Sequence, residues 1–297
     1  MDRIIRCITR DGSLMAAAID TTETAAVAQE IHGLTATTSA VLGRAITAAS
    51  IMGAMLKQEN ASITLKFNGG GPVGNVIAIS DSSGNVRGYV DAPETDLPVR
   101  PDGKLDVGGA VGKNGRLGVI RDYGTGEPYT GQIAIVSGEI AEDITNYYAV
   151  SEQIPTVCAL GVLTDRTDHR VILSGGLLIQ VLPGAYESDI EKLEANVAEM
   201  EPMTTMLAKG LSLEEIAETV LKGFEVEKLD ETNIHYACTC NKDKYARAIL
   251  TLGKEEILSL PLQDGNVETV CPYCGSKYYF NHHEIQELAE VASINEK

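Results

Sequence analysis

The chain has 297 residues, of which 44% are apolar, and its formal net charge is −18 at pH 7. This length suits one large domain and a smaller one, and the core must be aliphatic because Trp is absent and only three Phe occur. The negative charge argues against a nucleic-acid partner, since affinity for nucleic acids depends largely on Lys and Arg neutralising phosphates.

The N-terminus and the apolar runs indicate a cytoplasmic protein with no membrane partner. The first residues, MDRIIRCITRDGS, lack the apolar core of a signal peptide. The longest apolar run, which begins at Val171, is too short and too rich in Gly to span a bilayer. In a reducing cytosol, clustered cysteines are typical of metal sites or redox centres. Cys7 and Cys158 instead lie alone in apolar, strand-like surroundings, where buried unreactive thiols are expected.

The first third of the chain predicts a mixture of strands and helices. Two strand-like runs flank Asp11-Gly12, a typical hairpin turn. Apolar residues at helical spacing predict a helix over residues 22–33 and a longer one over residues 35–57, which is apolar on most faces and therefore buried. Three further runs separated by polar or Gly-rich turns predict an antiparallel meander: ASITLKFN, VGNVIAIS and VRGYVD.

Three glycines within this meander, Gly69, Gly71 and Gly74, formally match the dinucleotide motif G-x-G-x-x-G. A dinucleotide site requires a helix that opens at the third glycine, whereas here Pro72 interrupts the motif and a strand-like run follows it. The pattern therefore favours a hairpin turn. A G-K-[ST] phosphate loop is also absent from the sequence, so no nucleotide-binding residue is assigned.

The end of the large domain combines strands with one helix. Residues 108–131 are Gly-rich and polar and are assigned no regular element, and after them QIAIVSG predicts a strand. A helix-like stretch and two strands, TVCALGVLTD and RVILSGGLLIQVLP, close the domain. The helix-like stretch carries five side chains that could act in catalysis: Asp143, Tyr147, Tyr148, Ser151 and Glu152. Without a Ser/His or paired-carboxylate partner, they are interpreted as capping and interface residues, and no catalytic residue is assigned.

Residues 187–231 form an acidic segment that predicts a helical linker. They contain thirteen acidic residues and four Lys, which is about half of the net charge of the chain. Ser188 with Glu191 and Ser212 with Glu215 match the capping box at a helix N-terminus. Each box begins an amphipathic stripe: Ile190, Leu193, Val197 and Met200, then Leu213, Ile216, Val220 and Phe224. The segment is either an ordinary pair of surface helices or a marginal element that stays folded only while both stripes are covered.

Four cysteines near the C-terminal end form a C-x-C motif (Cys238 and Cys240) and a C-x-x-C motif (Cys271 and Cys274). Each pair can span one edge of a tetrahedron, and chain reversal over the thirty residues between the pairs can bring all four thiolates to one ion. The motifs therefore predict one Zn²⁺ per chain. The elements predicted around them are helices over residues 242–252 and 254–260, a turn over 263–266, the strand NVETV and a last helix capped by Asn281 and Glu284.

Several interpretations of this cysteine group remain open. Pro272 and Gly275 predict a tight turn whose N–H groups point at sulfur, as in a structural zinc knuckle, but a site that also senses oxidants has the same spacing. C-P-Y-C alone could be a glutaredoxin-like dithiol, although the strand-like GSKYYF stands where that fold needs a helix. His235, His282 and His283 are alternative ligands, but four cysteines already saturate zinc.

With these motifs the sequence resembles the redox-regulated 33 kDa chaperonin family, also called heat-shock protein 33. The two cysteine motifs, the aromatic strand after them, the charged linker and the chain length carry the resemblance, which extends to SGEIAEDITNYYAVSEQ and SGGLLIQVLPGA. The resemblance implies an ATP-independent holdase that binds unfolding client proteins under oxidative stress. It further implies that the reduced, zinc-bound form is inactive, and that oxidation pairs Cys238 with Cys240 and Cys271 with Cys274, releases the metal and gives a homodimer.

We therefore expect an α+β protein in three parts. The parts are an N-terminal core domain over residues 1–185, an acidic helical linker over residues 186–232 and a four-cysteine zinc redox-switch domain over residues 233–297. The protein is not expected to be an enzyme. The competing interpretation is a cytosolic metabolic enzyme with a structural zinc appendage, which a catalytic pocket in the first 185 residues would support.

Overall fold

The computed structural model describes residues 1–295 and divides into two compact units, Met1–Ala237 and Cys238–Lys297. Helices and antiparallel sheets occur together, which confirms the α+β class. In chain order the strands are β1 (Arg3–Thr9), β2 (Leu14–Asp20), β3 (Ser62–Asn68), β4 (Val76–Asp81), β5 (Val86–Val90), β6 (Arg116–Asp122), β7 (Tyr129–Ala134), β8 (Thr156–Thr164), β9 (Val171–Val181), β10 (Val226–Asn233), β11 (Asn266–Val270) and β12 (Lys277–Asn281).

The helices occur in both units. In chain order they are α1 (Thr22–His32), α2 (Ala36–Ala54), α3 (Val107–Val111), α4 (Ala141–Tyr147), α5 (Glu187–Ala198), α6 (Met203–Ala208), α7 (Leu213–Val220), α8 (Lys242–Leu250), α9 (Lys254–Ser259) and α10 (His282–Asn295). A π-helical turn, Tyr148–Glu152, continues α4. Within the described chain, no helix combines the length and the apolar character needed to cross a membrane.

The first unit contains two five-stranded sheets. The first sheet has the strand order β10-β1-β2-β9-β8 and the second has the order β5-β4-β3-β6-β7. The predicted β1–β2 hairpin and the meander of β3, β4 and β5 are both confirmed. Helix α2 contacts both sheets, and each of its residues except Arg44 is buried, as its apolar composition predicted.

The glycines of the apparent nucleotide motif form the turn between β3 and β4. A Cβ atom on Gly69 would lie 1.9 Å from the carbonyl oxygen of Gly112, so only glycine permits this approach of two backbones. No helix opens at Gly74, because β4 begins at Val76. The hairpin-turn interpretation is therefore confirmed, and the resemblance to a dinucleotide motif is coincidental.

Strand β6 is an element that the sequence analysis missed in the polar stretch. It pairs with β3 on one side and β7 on the other, and its Leu117 and Val119 are buried in the core. Gly118 separates these two residues, and Arg116 and Asp122 are the charged ends of the strand. The period-2 pattern is therefore only two apolar residues long, too short for recognition from sequence.

The linker helices α5, α6 and α7 cover one face of the first sheet. Both predicted stripes are in contact with it, and α6, which was not predicted, adds Met203 and Met206. The buried linker residues are Leu193, Met203, Met206, Leu213, Ile216, Ala217, Val220 and Leu221, and the buried sheet residues are Ile5, Cys7, Leu14, Ala16, Ala18, Leu177 and Ile179. The linker is thus held by an apolar interface, although most of its other positions are exposed.

The two predicted capping boxes have different outcomes. Ser212 Oγ accepts a hydrogen bond from the N–H of Glu215 (3.2 Å), and Glu215 Oε2 accepts one from the N–H of Ser212 (2.8 Å), so this box is confirmed. The box at Ser188 is wrong, because α5 already begins at Glu187. The N–H of Tyr186 donates instead to Asp189 Oδ2 (3.0 Å), so the cap lies two residues earlier than predicted.

This difference predicts unequal effects of two similar substitutions. Ser212→Ala should lower the free energy of opening of α7 by about 1 kcal/mol, because it removes an N-cap hydrogen bond. Ser188→Ala, within the first turn of α5, should change the opening energy of α5 by less than about 0.5 kcal/mol. Native-state hydrogen exchange of the α5 and α7 amides measures both values, and equal effects would contradict the assignment of the caps.

Residues 226–233 form strand β10 at the edge of the first sheet, although the sequence analysis placed all of them except Asn233 in the helical linker. The following residues run beside β5 of the second sheet. There the N–H of Val86 donates to the carbonyl of His235 (3.1 Å), and the N–H of Ala237 donates to the carbonyl of Val86 (2.9 Å). The last twelve residues of the first unit are therefore attached to the edges of both sheets.

The second unit consists of α8, α9, the β11–β12 hairpin and α10. The predicted elements of this region are confirmed, including the capping of α10, where the N–H of Glu284 donates to Asn281 Oδ1 (3.0 Å). Its apolar core is small. The buried residues in it are Ile249, Ile257, Val267, Phe280, Ile285, Ala289 and Ala292.

Candidate metal centre

The four cysteines lie at the ends of secondary-structure elements in the second unit. Cys238 and Cys240 precede α8, whose N-cap Asn241 accepts a hydrogen bond from the N–H of Lys244 (2.9 Å). Lys244 Nζ also donates to the carbonyl of Thr239 (2.6 Å), which fixes the residue between the two cysteines. The α8 cap thus orients the C-x-C motif.

Cys271 and Cys274 occupy the turn between β11 and β12. The N–H of Gly275 donates to the carbonyl of Cys271 (2.9 Å), and the N–H of Cys271 donates to the carbonyl of Ser276 (2.8 Å). Gly275 has φ 70°, a conformation that favours glycine. The tight turn predicted around Pro272 is therefore present.

The structure brings all four sulfurs together. Their Sγ atoms lie within 4.8 Å of one another, with 3.7 Å between Cys238 and Cys271 and 3.3 Å between Cys240 and Cys274. Zn–S bonds of about 2.3 Å place two sulfurs of a tetrahedral site about 3.8 Å apart. The first distance matches this value and the second is somewhat shorter. The donor set therefore fits a tetrahedral ion that prefers thiolates.

The charge state of the thiols also fits a metal. Burial raises the pKa of Cys271, but contacts with the Tyr245 hydroxyl and with the N–H groups of Tyr273 and Cys274 outweigh it and lower that pKa to about 6. Burial raises the pKa of Cys238 to about 12. Four thiolates in one place repel one another, so all four can be ionised together only around a cation.

Aromatic side chains surround the sulfurs. The Tyr278 hydroxyl lies 3.0 Å from Cys240 Sγ, and the rings of Tyr278 and Tyr245 stack with centroids 5.1 Å apart. The Ser276 hydroxyl lies 3.2 Å from Cys274 Sγ. The sequence analysis recognised the aromatic strand but assigned none of these contacts, since only the fold brings Tyr245 of α8 to the hairpin.

Two alternatives for the cysteine group are weakened by the structure. C-P-Y-C is followed by strand β12 and not by the helix that a glutaredoxin-like dithiol needs. His282 and His283 are on the exposed start of α10, where they contact Gln286 and Glu287. Within residues 1–295, the four cysteines are the one group of three or more His, Cys, Asp or Glu side chains close enough to hold a common ion.

The other two cysteines lie apart from this group. Cys7 is buried on β1 between the sheet and the linker helices, and burial raises its pKa. Cys158 on β8 is half-buried by surface area, yet its thiol is desolvated enough to raise its pKa to about 12. Both are therefore unreactive as thiolates in the folded protein.

The five side chains near α4 have structural contacts. Asp143 accepts hydrogen bonds from the N–H groups of Val136 (2.7 Å), Ser137 (3.1 Å) and Ile140 (3.1 Å), which is a capping role. The Tyr147 hydroxyl donates to Glu152 Oε1 (2.5 Å), and Arg121 pairs with Glu152 Oε2 (2.9 Å). Tyr148 packs edge to face on Tyr147, and Ser151 lies beside the position that a Cβ on Gly131 would occupy. These contacts join β6 and β7 to α4 and the π-helical turn.

Known proteins resemble the whole chain. The family model described as "Hsp33 protein" matches residues 2–281. A protein named 33 kDa chaperonin from Acetivibrio thermocellus is 43% identical over 290 residues, which cover 98% of this chain and 97% of the relative. A protein of the same name from Bacillus licheniformis is 42% identical over 290 residues, covering 98% and 99% of the two chains.

A solved structure agrees with these relatives. The crystal structure of a 33 kDa chaperonin, heat shock protein 33 homolog, from Thermotoga maritima superposes with a TM-score of 0.88 at 32% sequence identity. The superposition covers 98% of this chain and 99% of that chain. The names of these relatives are those of chaperonins and not of enzymes, in agreement with the expectation that this chain is not an enzyme.

Proposed function

Because the chain belongs to the Hsp33 family, we propose that it is an ATP-independent holdase that binds unfolding client proteins under oxidative stress. One observation supports this most: four thiols meet in a unit with a small apolar core, while the preceding linker covers an apolar sheet face. The four thiols can react with an oxidant, and the apolar sheet face under the linker can bind clients once the linker leaves it. Within residues 1–295, no comparable observation supports the competing metabolic enzyme.

We propose that Cys238, Cys240, Cys271 and Cys274 hold one Zn²⁺ in the reduced protein. Bound zinc would supply folding free energy, about 10 to 16 kcal/mol in small zinc domains, whereas an apolar core of this size supplies about 3 to 5 kcal/mol. The second unit therefore depends on its thiolates for most of its stability. The aromatic and hydroxyl groups around the sulfurs limit water access and orient the ligands.

Oxidation would act on the thiolates themselves. A peroxide oxidises one thiolate to a sulfenic acid, and a second thiol displaces water from it to form a disulfide, so that each pair gives up two electrons. The pairing of Cys238 with Cys240 and of Cys271 with Cys274 comes from the resemblance to the family. The sulfur distances alone leave other pairings within reach. Any of these disulfides removes two thiolate ligands from the metal, and the second unit then loses the stability that the bound metal provides.

The link from the second unit to clients would be the linker. Residues 186–232 carry about half of the net charge. They include α5, α6 and α7, which pack on the first sheet. If this segment opens when the neighbouring residues 233–297 unfold, the apolar faces of both the helices and the sheet become accessible. The acidic surplus would keep the open form soluble.

We further propose a cytoplasmic location and a homodimer of the oxidised form.

The unequal spacers predict the order of oxidation. Cys271 and Cys274 should form their disulfide before Cys238 and Cys240, because a two-residue spacer permits a normal turn disulfide and a one-residue spacer requires a strained ring. Peptide mapping of trapped disulfides during a peroxide time course measures this order. Accumulation of the Cys238–Cys240 disulfide while Cys271 and Cys274 remain reduced would show that local access or the charge of Lys242 and Lys244 sets the order instead.

The proposed function is tested by light scattering of a chemically denatured client without ATP. Peroxide-treated protein should suppress aggregation of the client at near-equal molar amounts, and reduced protein should not. Cys7→Ser and Cys158→Ser, which change thiols outside the group of four, should behave like the unchanged protein. Equal suppression by the reduced and oxidised forms would refute redox control, and no suppression by either would refute the holdase.

A further inference from the structure

Strand β10 has few of the contacts that normally hold an edge strand. Its apolar residues are only Val226, which is half-buried, and Leu229, which is 52% exposed. All seven residues of β1 nevertheless have a partner in β10, with a bulge between Arg6 and Cys7. The strand is therefore bound mainly through its backbone and its charges, and Val226 is its one apolar contact with the core.

Ion pairs join the two strands, with arginines on the β1 side and carboxylates on the β10 side. Arg6 forms a two-pronged pair with Asp230, including Nε to Oδ1 at 2.9 Å, and Arg10 pairs with both Glu225 and Glu227. Arg3 pairs with Glu231 (2.8 Å) and with Glu214 of α7 (3.0 Å). Two arginines of β1 and Arg10, the residue just after it, thus contact acidic side chains along the whole length of β10.

These pairs are accessible to solvent, and so they are individually weak. The side chains of Arg3 and Arg6 are 29% and 33% exposed, and that of Arg10 is 67% exposed. Exposed ion pairs contribute little each and weaken with ionic strength. The charged contacts therefore add little to the attachment of β10, which depends mainly on the backbone pairing with β1. It also ends at Asn233, only five residues before Cys238, so that it adjoins the segment proposed to unfold on oxidation.

Without β10, β1 would be an exposed edge strand. Its backbone N–H and C=O groups on that side would be unpaired, and Arg3, Arg6 and Arg10 would lose their acidic partners on and beside β10. Such an edge accepts an added strand from another polypeptide, in which the backbone provides affinity and the side chains provide selectivity. Elsewhere the chain is acidic, with a net charge of −18, so these arginines are a local exception.

We propose that the β1 edge is a strand-addition site for extended, acid-rich segments of unfolded client chains, and that β10 occupies it in the resting protein as an internal substitute for the client. The proposal rests on the proposed function and adds to it a site and a class of segment. The template for a bound segment is β10 itself, with acidic residues facing Arg3, Arg6 and Arg10 and few apolar ones.

A labelled peptide with the sequence of residues 225–233 (EVEKLDETN) tests the site. Fluorescence anisotropy should show binding to the full-length oxidised protein and much weaker binding to the reduced protein. Asp230→Arg, which weakens the attachment of β10 and leaves β1 unchanged, should increase the affinity for the peptide. Affinity should fall as salt is raised, because the contacts are exposed ion pairs.

Charge exchange gives the specific control. A peptide that carries D230R should bind the oxidised protein about fivefold or more weakly, because it replaces an ion pair with a like-charge contact. Arg6→Glu should restore its binding and weaken that of the original peptide. Arg116→Glu makes the same change of net charge on β6 of the other sheet, and should alter neither affinity.

Three results would overturn the proposal. The first is equal weakening of peptide binding by Arg6→Glu and Arg116→Glu, which would indicate a general charge effect. The second is the absence of peptide binding in an oxidised sample that still suppresses client aggregation, which refutes this site but not the proposed function. The third combines two results: the oxidised protein does not bind the peptide, and Arg6→Glu converts the oxidised dimer to a monomer. This would assign the β1 edge to a second copy of the chain.

Discussion

Cys240→Ser should lose its zinc in the reduced state, and its second unit should unfold while the first unit remains folded. In the proposed site, removal of one thiolate would leave three ligands around the ion, and the seven residues of the apolar core of this unit could not replace about 10 kcal/mol of metal-dependent stability. Cys238→Ser, Cys271→Ser and Cys274→Ser should behave in the same way. Metal analysis together with amide exchange of α8 and α10 measures both effects.

The matched controls for this result are the two other cysteines. Cys7→Ser and Cys158→Ser remove thiols that lie outside the group of four, so the zinc content should stay at one per chain. The first substitution introduces a hydroxyl into the interface below the linker, and some loss of stability there is expected. Full retention of zinc by Cys240→Ser would refute the assignment of four cysteine ligands.

Oxidation should remove nearly all amide protection from the linker. Helices α5, α6 and α7 have twelve, six and eight residues, lengths that are marginal or unstable as isolated helices in water. Their protection therefore depends on Leu193, Ile216 and the other residues packed on the first sheet. Once they leave the sheet, their exchange rates should approach those of an unstructured chain.

Hydrogen exchange with mass spectrometry of reduced and peroxide-treated samples tests this expectation. Peptides from residues 187–224 should lose protection on oxidation, and peptides from the buried helix α2 should keep theirs, because α2 is enclosed between the two sheets. Unchanged protection across the linker after complete oxidation would show that the linker takes no part in activation. Clients would then have to bind another surface.

Strong periodic patterns predicted most of the fold correctly. Helix α2 was recognised because it is apolar along nearly its whole length, and the hairpins were recognised from their turn residues. Strand β6 was missed since only Leu117 and Val119 mark its buried face. Strand β10 was missed because acidic residues are poor strand formers, and its pairing depends on arginines more than 200 positions away in sequence.

Long-range contacts limited the other predictions. The N-terminus of α1 is capped by Asp2, whose Oδ1 and Oδ2 accept from the N–H groups of Glu23 (3.0 Å) and Thr24 (2.6 Å), and no local motif indicates this. The cysteine group was recognisable because its ligands come in close pairs with specific spacing. The tyrosines around it were not, since Tyr245 and Tyr278 meet only after the hairpin packs on α8.

The most direct test of the account follows zinc release, thiol content and client binding in the same samples during a peroxide titration. The account predicts that suppression of client aggregation rises together with the loss of four thiols and one zinc per chain, and that reduction with added zinc reverses all three. Full suppression of aggregation by protein that retains its zinc and all four thiols would contradict it.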